Sequence, residues 1–438
     1  MTRHRSAITH RTVWSLAGPI IASNISVPLV GAVDTAVVGR LPGPVYIGAV
    51  ALGALIFSFL YWGFGFLRMG TTGFVARADG AGDQSELSRT YIRVLLLALI
   101  LGVLVIALGG PIVRFALLVI DSSETVETLA AEYSYIRIWS APATLCLYVF
   151  TGILIGLHNT RQVFLLMVVM NVINVVLDLV FVPWLGFGVA GVAWASLIAE
   201  YIAAALGFWI LRKQFRIALA NPNWPQILEI TPVLQLLRSN SHIFIRTLCL
   251  VFSFAFFTAQ GARLGEMILA ANTILLHLQS IMSYGLDGFA HAVEALAGSA
   301  YGAHNRSRFR QAVTLTTWWA AAAAIITSLI YLFLGDEILT LFSNQESVIT
   351  LASSFLPWMI IAPIISVWSF QLDGIFIGAG HTLEMRNAMI VSTLGYLALA
   401  WFLLPLLGNH GLFLALSLFM LLRALSLYYY YPGIKRAI

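Results

Sequence analysis

The sequence predicts an all-α polytopic membrane protein, with twelve transmembrane helices arranged as two six-helix bundles. Three observations predict it. Of the 438 residues, 60% are hydrophobic and only 10% charged, and the mean hydropathy is strongly positive, which excludes an ordinary soluble globule. The apolar residues come in long runs parted by short polar stretches. The second half of the chain repeats the first at one constant offset.

At roughly 20 apolar residues per span, the length accommodates about twelve helices. Segments this long and apolar exclude a β-barrel, whose strands would be short and alternating. The first residues, Met1-Thr-Arg-His-Arg5, are basic without a small-residue cleavage site, so the first span is read as retained. The net charge of +5 fits basic loops on one side of a membrane rather than a nucleic-acid partner. Cys146 and Cys249 both sit in apolar runs and read as core packing.

The spans are expected near 13–38, 46–76, 90–118, 132–157, 162–184 and 187–212, then near 233–262, 267–300, 308–334, 348–378, 383–405 and 410–431. Charges between them alternate. Arg3, Arg5 and Arg11 precede span 1, and Arg77, Arg89 and Arg93 flank the loop after span 2. Arg161 follows span 4, Arg212, Lys213 and Arg216 follow span 6, and Arg306, Arg308 and Arg310 follow span 8. Arg386 follows span 10, and Lys435 and Arg436 close the chain. The intervening loops carry Asp121, Glu124 and Glu127, or Asp336, Glu337 and Glu346. The pattern obeys the positive-inside rule with both termini cytoplasmic and an even number of spans.

The paired prolines of Asn221-Pro-Asn-Trp-Pro225 mark the boundary. It separates an N-lobe (1–217, spans 1 to 6) from a C-lobe (233–438, spans 7 to 12), with a cytoplasmic linker at 218–232. Gly152-Ile-Leu-Ile-Gly156 matches Gly374-Ile-Phe-Ile-Gly378, Pro183 and Gly186 match Pro405 and Gly408, and Gly80-Ala81 matches Gly302-Ala303, all at an offset of 222 residues. Six being even, the halves share orientation. They are parallel repeats about an axis along the membrane normal, a plan that builds a central substrate cleft and a complete pathway in one chain, so a monomer suffices.

The chemistry is expected inside the spans. In Asn171-Val-Ile-Asn174-Val-Val-Leu-Asp178, steps of three and four put Asn171, Asn174 and Asp178 on one helical face. Such groups cannot face hydrocarbon and must meet other helices or water. Asp34 lies near the end of span 1. The repeat places Phe256 opposite Asp34 and Ala400 opposite Asp178, so the architecture alone does not require these acids. If spans 1 and 5 are neighbours, Asp34, Asn174 and Asp178 form one buried acidic pocket. Burial and a nearby like charge both favour the protonated acid, which suits a proton carrier, while the same oxygens suit sodium. Pro19 and Pro28 invite a hinge in span 1.

Span 8 carries a second row, Asp287, His291 and Glu294, at steps of four and three. Arg68 of span 2 stands where span 8 has Ala290, and is expected to pair with Asp287 or Glu294 as a gate or a structural tie. Asp373, matching Thr151, completes the C-half set. Tyr61, Trp62, Tyr148 and Tyr284 are candidates for cation–π contacts with a flat organic cation. No phosphate loop, no Cys/His metal spacing and no recognisable Ser-His-Asp grouping appears, so neither a cofactor nor ATP is expected.

Five stretches resemble one family. They are Val33-Asp-Thr-Ala-Val-Val-Gly39, Phe66-Leu-Arg-Met-Gly-Thr-Thr-Gly73, Asn171 to Asp178, Gly285-Leu-Asp-Gly-Phe-Ala-His-Ala-Val-Glu294 and Asp373-Gly-Ile-Phe-Ile-Gly378. In order and across nearly the whole length, the chain resembles the multidrug and toxic compound extrusion (MATE) family, in its DNA-damage-inducible F (DinF) branch. The resemblance implies an antiporter in the inner membrane of a prokaryote, exporting organic cations or amphipathic compounds against inward proton, or less readily sodium, flow. It implies coupling at Asp34, Asn174 and Asp178, with bending of span 1 at a proline fifteen residues before the aspartate, where Pro19 stands. Another branch places a sodium site on a span-7 glutamate and a span-10 aspartate. Asp373 matches the latter, but 244–261 contains no acid. The alternatives are a lipid-precursor flippase of the same superfamily and an integral-membrane enzyme. The first wants a cationic cleft, the second a catalytic cluster at a membrane face.

Overall fold

The computed structural model describes residues 7–41, 43–119, 123–220 and 222–438, without the side chains of 27–29 and 119. Arg3, Arg5, Asp121, Asn221 and the side chain of Pro28 therefore lie outside the described residues. Twelve helical stretches among those described are long and apolar enough to cross a membrane. Spans 1 to 6 are His10–Val38, Pro44–Ala81, Gln84–Ala107, Glu124–Gly156, Thr160–Phe181 and Gly188–Ile210. Spans 7 to 12 are Trp224–Arg263, Glu266–Gly302, Arg306–Phe342, Glu346–Ala379, Thr382–Leu407 and Asn409–Ala437.

The first half is segmented where unbroken helices were expected. Span 2 stops at Gly63 and restarts at Phe66. The amides of Phe64 and Gly65 reach back only three residues, to the carbonyls of Tyr61 (3.0 Å) and Trp62 (3.1 Å), the tightened closure that ends an α-helix. The helix of span 3 ends at Ala107, and Gly109–Val119 follows as a separate piece. Span 4 passes through a 3-10 turn at Ile138–Ser140 before Ala141–Gly156, where Pro142 occupies the first turn, the one place a helix tolerates proline. The repeat partners, spans 8, 9 and 10, run unbroken, span 10 even through Pro357 and Pro363.

The repeated glycines have a packing cause. A Cβ at Gly152 would lie 2.7 Å from the carbonyl oxygen of Arg68, and one at Gly156 would lie 3.0 Å from that of Thr72. Their counterparts Gly374 and Gly378 press on the carbonyl oxygens of Ala290 and Glu294, the same positions one repeat later. Span 4 thus lies on span 2 as span 10 lies on span 8, with glycines four apart permitting close approach.

Two turns are also repeated. Gly82 (φ 72°) and His304 (φ 49°) occupy equivalent left-handed positions, as do His158 (φ 59°) and Gly380 (φ 83°). After the first pair, Asp83 and Asn305 each cap the next helix, accepting from the amides of Glu86 (2.9 Å) and Arg308 (3.0 Å).

The chain forms two compact units, one of Met1–Ile21, Ala76–Gly82 and Arg238–Ile438, the other of Ala22–Val75 and Asp83–Leu237. The first unit therefore holds spans 8 to 12, most of span 7, the start of span 1 and the last turn of span 2. In it, Gly80 lies against the backbone of Ser299 and Gly302 against that of Arg77, equivalent residues in the two repeats. The segment read as a linker is held in the second unit, where Arg93 donates to the carbonyls of Gln226 (2.7 Å) and Ile227 (2.8 Å) and to Glu86 (2.7 Å). Large apolar side chains such as Leu118, Trp184 and Leu406 stay more than three-quarters exposed, as a lipid-facing surface requires.

Candidate functional site

The second unit gathers charge in its interior. Ser26 of span 1 accepts a hydrogen bond from the Asn171 carboxamide of span 5 at 2.8 Å. About two turns further along each helix stand Asp34 and Asp178. Their carboxyl groups come within hydrogen-bonding reach of each other. Asp178 is fully buried and Asp34 half-buried. Neither oxygen of Asp178 receives a hydrogen bond from a donor, nor does Oδ1 of Asp34. Two carboxyls so placed can bond each other only when one carries a proton, since both are otherwise acceptors. Asn174, also buried, donates to the Ser196 hydroxyl at 3.2 Å and leaves its own Oδ1 without a partner. Spans 1 and 5 thus bring Asp34 and Asp178 together within one unit, while Asn174 turns to Ser196 of span 6.

The same unit holds a second charged cluster, which the charge pattern of the loops does not reveal. Arg137 of span 4 pairs with Glu200 of span 6 at 2.9 Å. The second oxygen of Glu200 accepts from Thr144 at 2.5 Å, and Arg137 donates to Ser140 at 3.3 Å. Ser140 is also bonded to the Tyr61 hydroxyl at 2.9 Å. Arg137 lies within electrostatic range of both Asp34 and Asp178. The sequence did carry a signal: Glu200 is a lone acid in the apolar run Gly188–Ile210, which by itself marks a paired residue.

In the first unit, Asp373 does not stand among acids. Arg246 of span 7 and Arg423 of span 12 both donate to its Oδ2, the latter at 2.7 Å, and all three are buried. Arg423 also lies over the Phe419 ring and reaches Met420 sulfur. Glu294 is buried, with Asp287 and His291 half-buried on the same span, and Asp287 stands within electrostatic range of Arg423 and Tyr284. Arg68 belongs to the second unit, near Tyr148. Pro19 belongs to the first unit and Asp34 to the second, within a helix continuous from His10 to Val38. Trp62 is exposed, Tyr61 buried, and Tyr148 and Tyr284 intermediate. Both cysteines are free, Cys146 buried and Cys249 partly so.

A duplicated twelve-span bundle with ionisable groups enclosed among its helices is the build of a membrane transporter. The chain belongs to the MatE family, whose model matches residues 19–180 and 243–402. It is 42% identical over 417 residues to DNA damage-inducible protein F of Escherichia coli, covering 95% of this chain and 91% of that one. Its fold is that of two solved transporters, each 21% identical. One is a MOP superfamily transporter from Pyrococcus furiosus, with a TM-score of 0.89 over 99% of this chain and 97% of that one. The other is an outward-facing multidrug resistance MATE family transporter, with a TM-score of 0.88 over 98% and 96%. The protein is a multi-pass transporter and not an enzyme.

Proposed function

We propose that this transporter is a secondary antiporter that expels organic cations or amphipathic compounds in exchange for inward protons, with Asp34 and Asp178 as the coupling pair. One observation carries the reading: two carboxyls face each other inside the bundle, and Asp178 has no donor on either oxygen. Bare carboxylates side by side in a low-dielectric interior repel strongly, so one positive charge must be taken up there and released. Asn174 lines the pocket, Asn171 fixes the register of spans 1 and 5, and Pro19 with Pro28 gives span 1 a place to bend. The unpartnered Oδ1 of Asn174 supports sodium as the second reading, since it adds a neutral oxygen ligand.

Substrate crosses by alternating access of two lobes, 1–217 and 233–438, with 218–232 between them. In this scheme the row Asp287, His291 and Glu294 in one unit, and Arg68 in the other, are secondary charged groups, and Asp373, paired with two arginines, is a structural charge rather than a cation site. The relatives support export of toxic compounds, one being named a probable multidrug resistance protein in Rhizobium meliloti. The charge alternation supports cytoplasmic termini in a prokaryotic inner membrane, and both halves in one chain support a monomer. A lipid-precursor flippase is disfavoured by the acids in the first-half pocket.

The test is ethidium efflux in proteoliposomes with proton and sodium gradients imposed separately, comparing wild type, Asp34→Asn and Asp178→Asn. Efflux should follow the proton gradient and be lost in both variants. Efflux that follows sodium and survives Asp34→Asn would overturn the assignment.

A further inference from the structure

The ion pair Arg137–Glu200 takes no part in that scheme, yet its cation is within electrostatic range of the acid pair in the same unit. Arg137 is 8% exposed. Its Nη2 goes to Glu200 and its Nη1 to Ser140, and the Tyr133 side chain also bonds the guanidinium, while its Nε is buried without a hydrogen-bond partner. Guanidinium carries five donors in a rigid fork, enough to serve a second carboxylate. Arg137 is within electrostatic range of Asp34 and of Asp178. The other ionisable groups around the cluster are the phenols of Tyr61, Tyr133, Tyr148 and Tyr201, the Cys146 thiol, and Arg68 beyond Tyr148. Phenols and thiols are neutral when the acids titrate, so Arg137 is the cation placed to answer a change of charge at Asp34 and Asp178.

We propose that Arg137 exchanges partners during transport. With a proton shared by Asp34 and Asp178, the guanidinium stays on Glu200, held by Thr144 and Ser140. When that proton leaves to water, both carboxylates are bare, and Arg137 turns its Nε edge toward them while Glu200 keeps only Thr144. The step is one proton dissociation and one change of ion-pair partner, and no covalent bond other than the acid O–H breaks. Arg137 and Glu200 are thus positioning residues that set how readily the acid pair gives up its proton. The proposal rests on the acid pair being the coupling site.

The experiment measures efflux against pH and, on the same purified full-length protein, infrared difference spectra between acidic and neutral pH. Glu200→Gln removes the rival for Arg137, so the half-maximal pH should fall by about one unit, the size of shift an adjacent opposite charge produces. The double variant Arg137→Gln/Glu200→Gln leaves no buried unpaired charge, so it keeps the fold, and its half-maximal pH should rise. In wild type the difference spectrum should contain a Glu200 carboxylate band, identified by its loss in Glu200→Gln. An unmoved half-maximal pH in Glu200→Gln, or a Glu200 band that is silent across the transition, would overturn the exchange. Proton-driven efflux retained by Asp34→Asn would instead refute the coupling pair itself, so the two failures are distinguishable.

Discussion

Arg77 donates from Nη1 to the carbonyl oxygen of Gly378 at 3.0 Å, and to that of Ile377 at 3.3 Å. Both carbonyls lie at the C-terminal end of span 10, where orphan acceptors and the helix dipole favour a cation. This contact holds the last turn of span 2 in the first unit. Arg77→Gln should cost about 1.5 to 3 kcal/mol, as for hydrogen bonds to a charged donor. The check is the thermal midpoint of the purified protein in detergent, and an unchanged midpoint would contradict it.

Gly80 and Gly302 should tolerate no side chain. A Cβ at either would overlap backbone of Ser299 or Arg77, and backbone cannot rotate away. Gly80→Val and Gly302→Val should each lose more than about 3 kcal/mol, the upper range for overpacking. The readout is the yield of monodisperse protein on size exclusion. Gly31→Ala is the contrast, since nothing lies within 4 Å of its Cβ position, and its yield should equal wild type.

Asp373→Asn leaves two buried guanidiniums converging on a neutral group, a loss of about 3 to 5 kcal/mol for a broken buried pair. Denaturation of the variant should show this directly. Because both arginines already neutralise Asp373, replacing choline by sodium in the buffer should not raise the melting midpoint of wild type through this site. A sodium-dependent rise abolished by Asp373→Asn would reverse the assignment.

His304 holds a left-handed turn that its counterpart fills with Gly82. A non-glycine residue pays about 1 to 2 kcal/mol for that conformation, and glycine gives back part of the gain through greater chain entropy. His304→Gly should therefore stabilise by up to about 1 kcal/mol. Comparison of melting midpoints at one pH decides it.

The sequence made the duplication legible because the glycines that let span 4 lie on span 2 are needed again where span 10 lies on span 8. Asp34 and Asp178 were legible because a carboxyl inside an apolar run has few explanations. Their proximity followed only on the condition that spans 1 and 5 are neighbours, or from the family resemblance, for it depends on the Ser26–Asn171 register between two helices far apart in the chain. The pairings of Arg137, Glu200, Arg246 and Arg423 are not legible, because whether an arginine in a span pairs inward is a matter of three-dimensional neighbours. Asp373 shows the same limit: a lone acid in sequence, it sits between two arginines in space. The breaks at Phe64 and at Ile138–Ser140 carry little signal, since residues of similar type continue as helix one repeat later.

Those breaks give the two copies unequal stiffness. At each interruption the backbone passes from α-helical to tighter three-residue bonding, so spans 2 and 4 are jointed rods where spans 8 and 10 are single helices. Under an equal load the first copy yields at its joints while the second transmits force along its length. The copy holding the acid pair is thus the compliant member of the duplicate, and its amides at 64–65 and 138–140 should exchange with solvent sooner than those at 286–287 and 360–362.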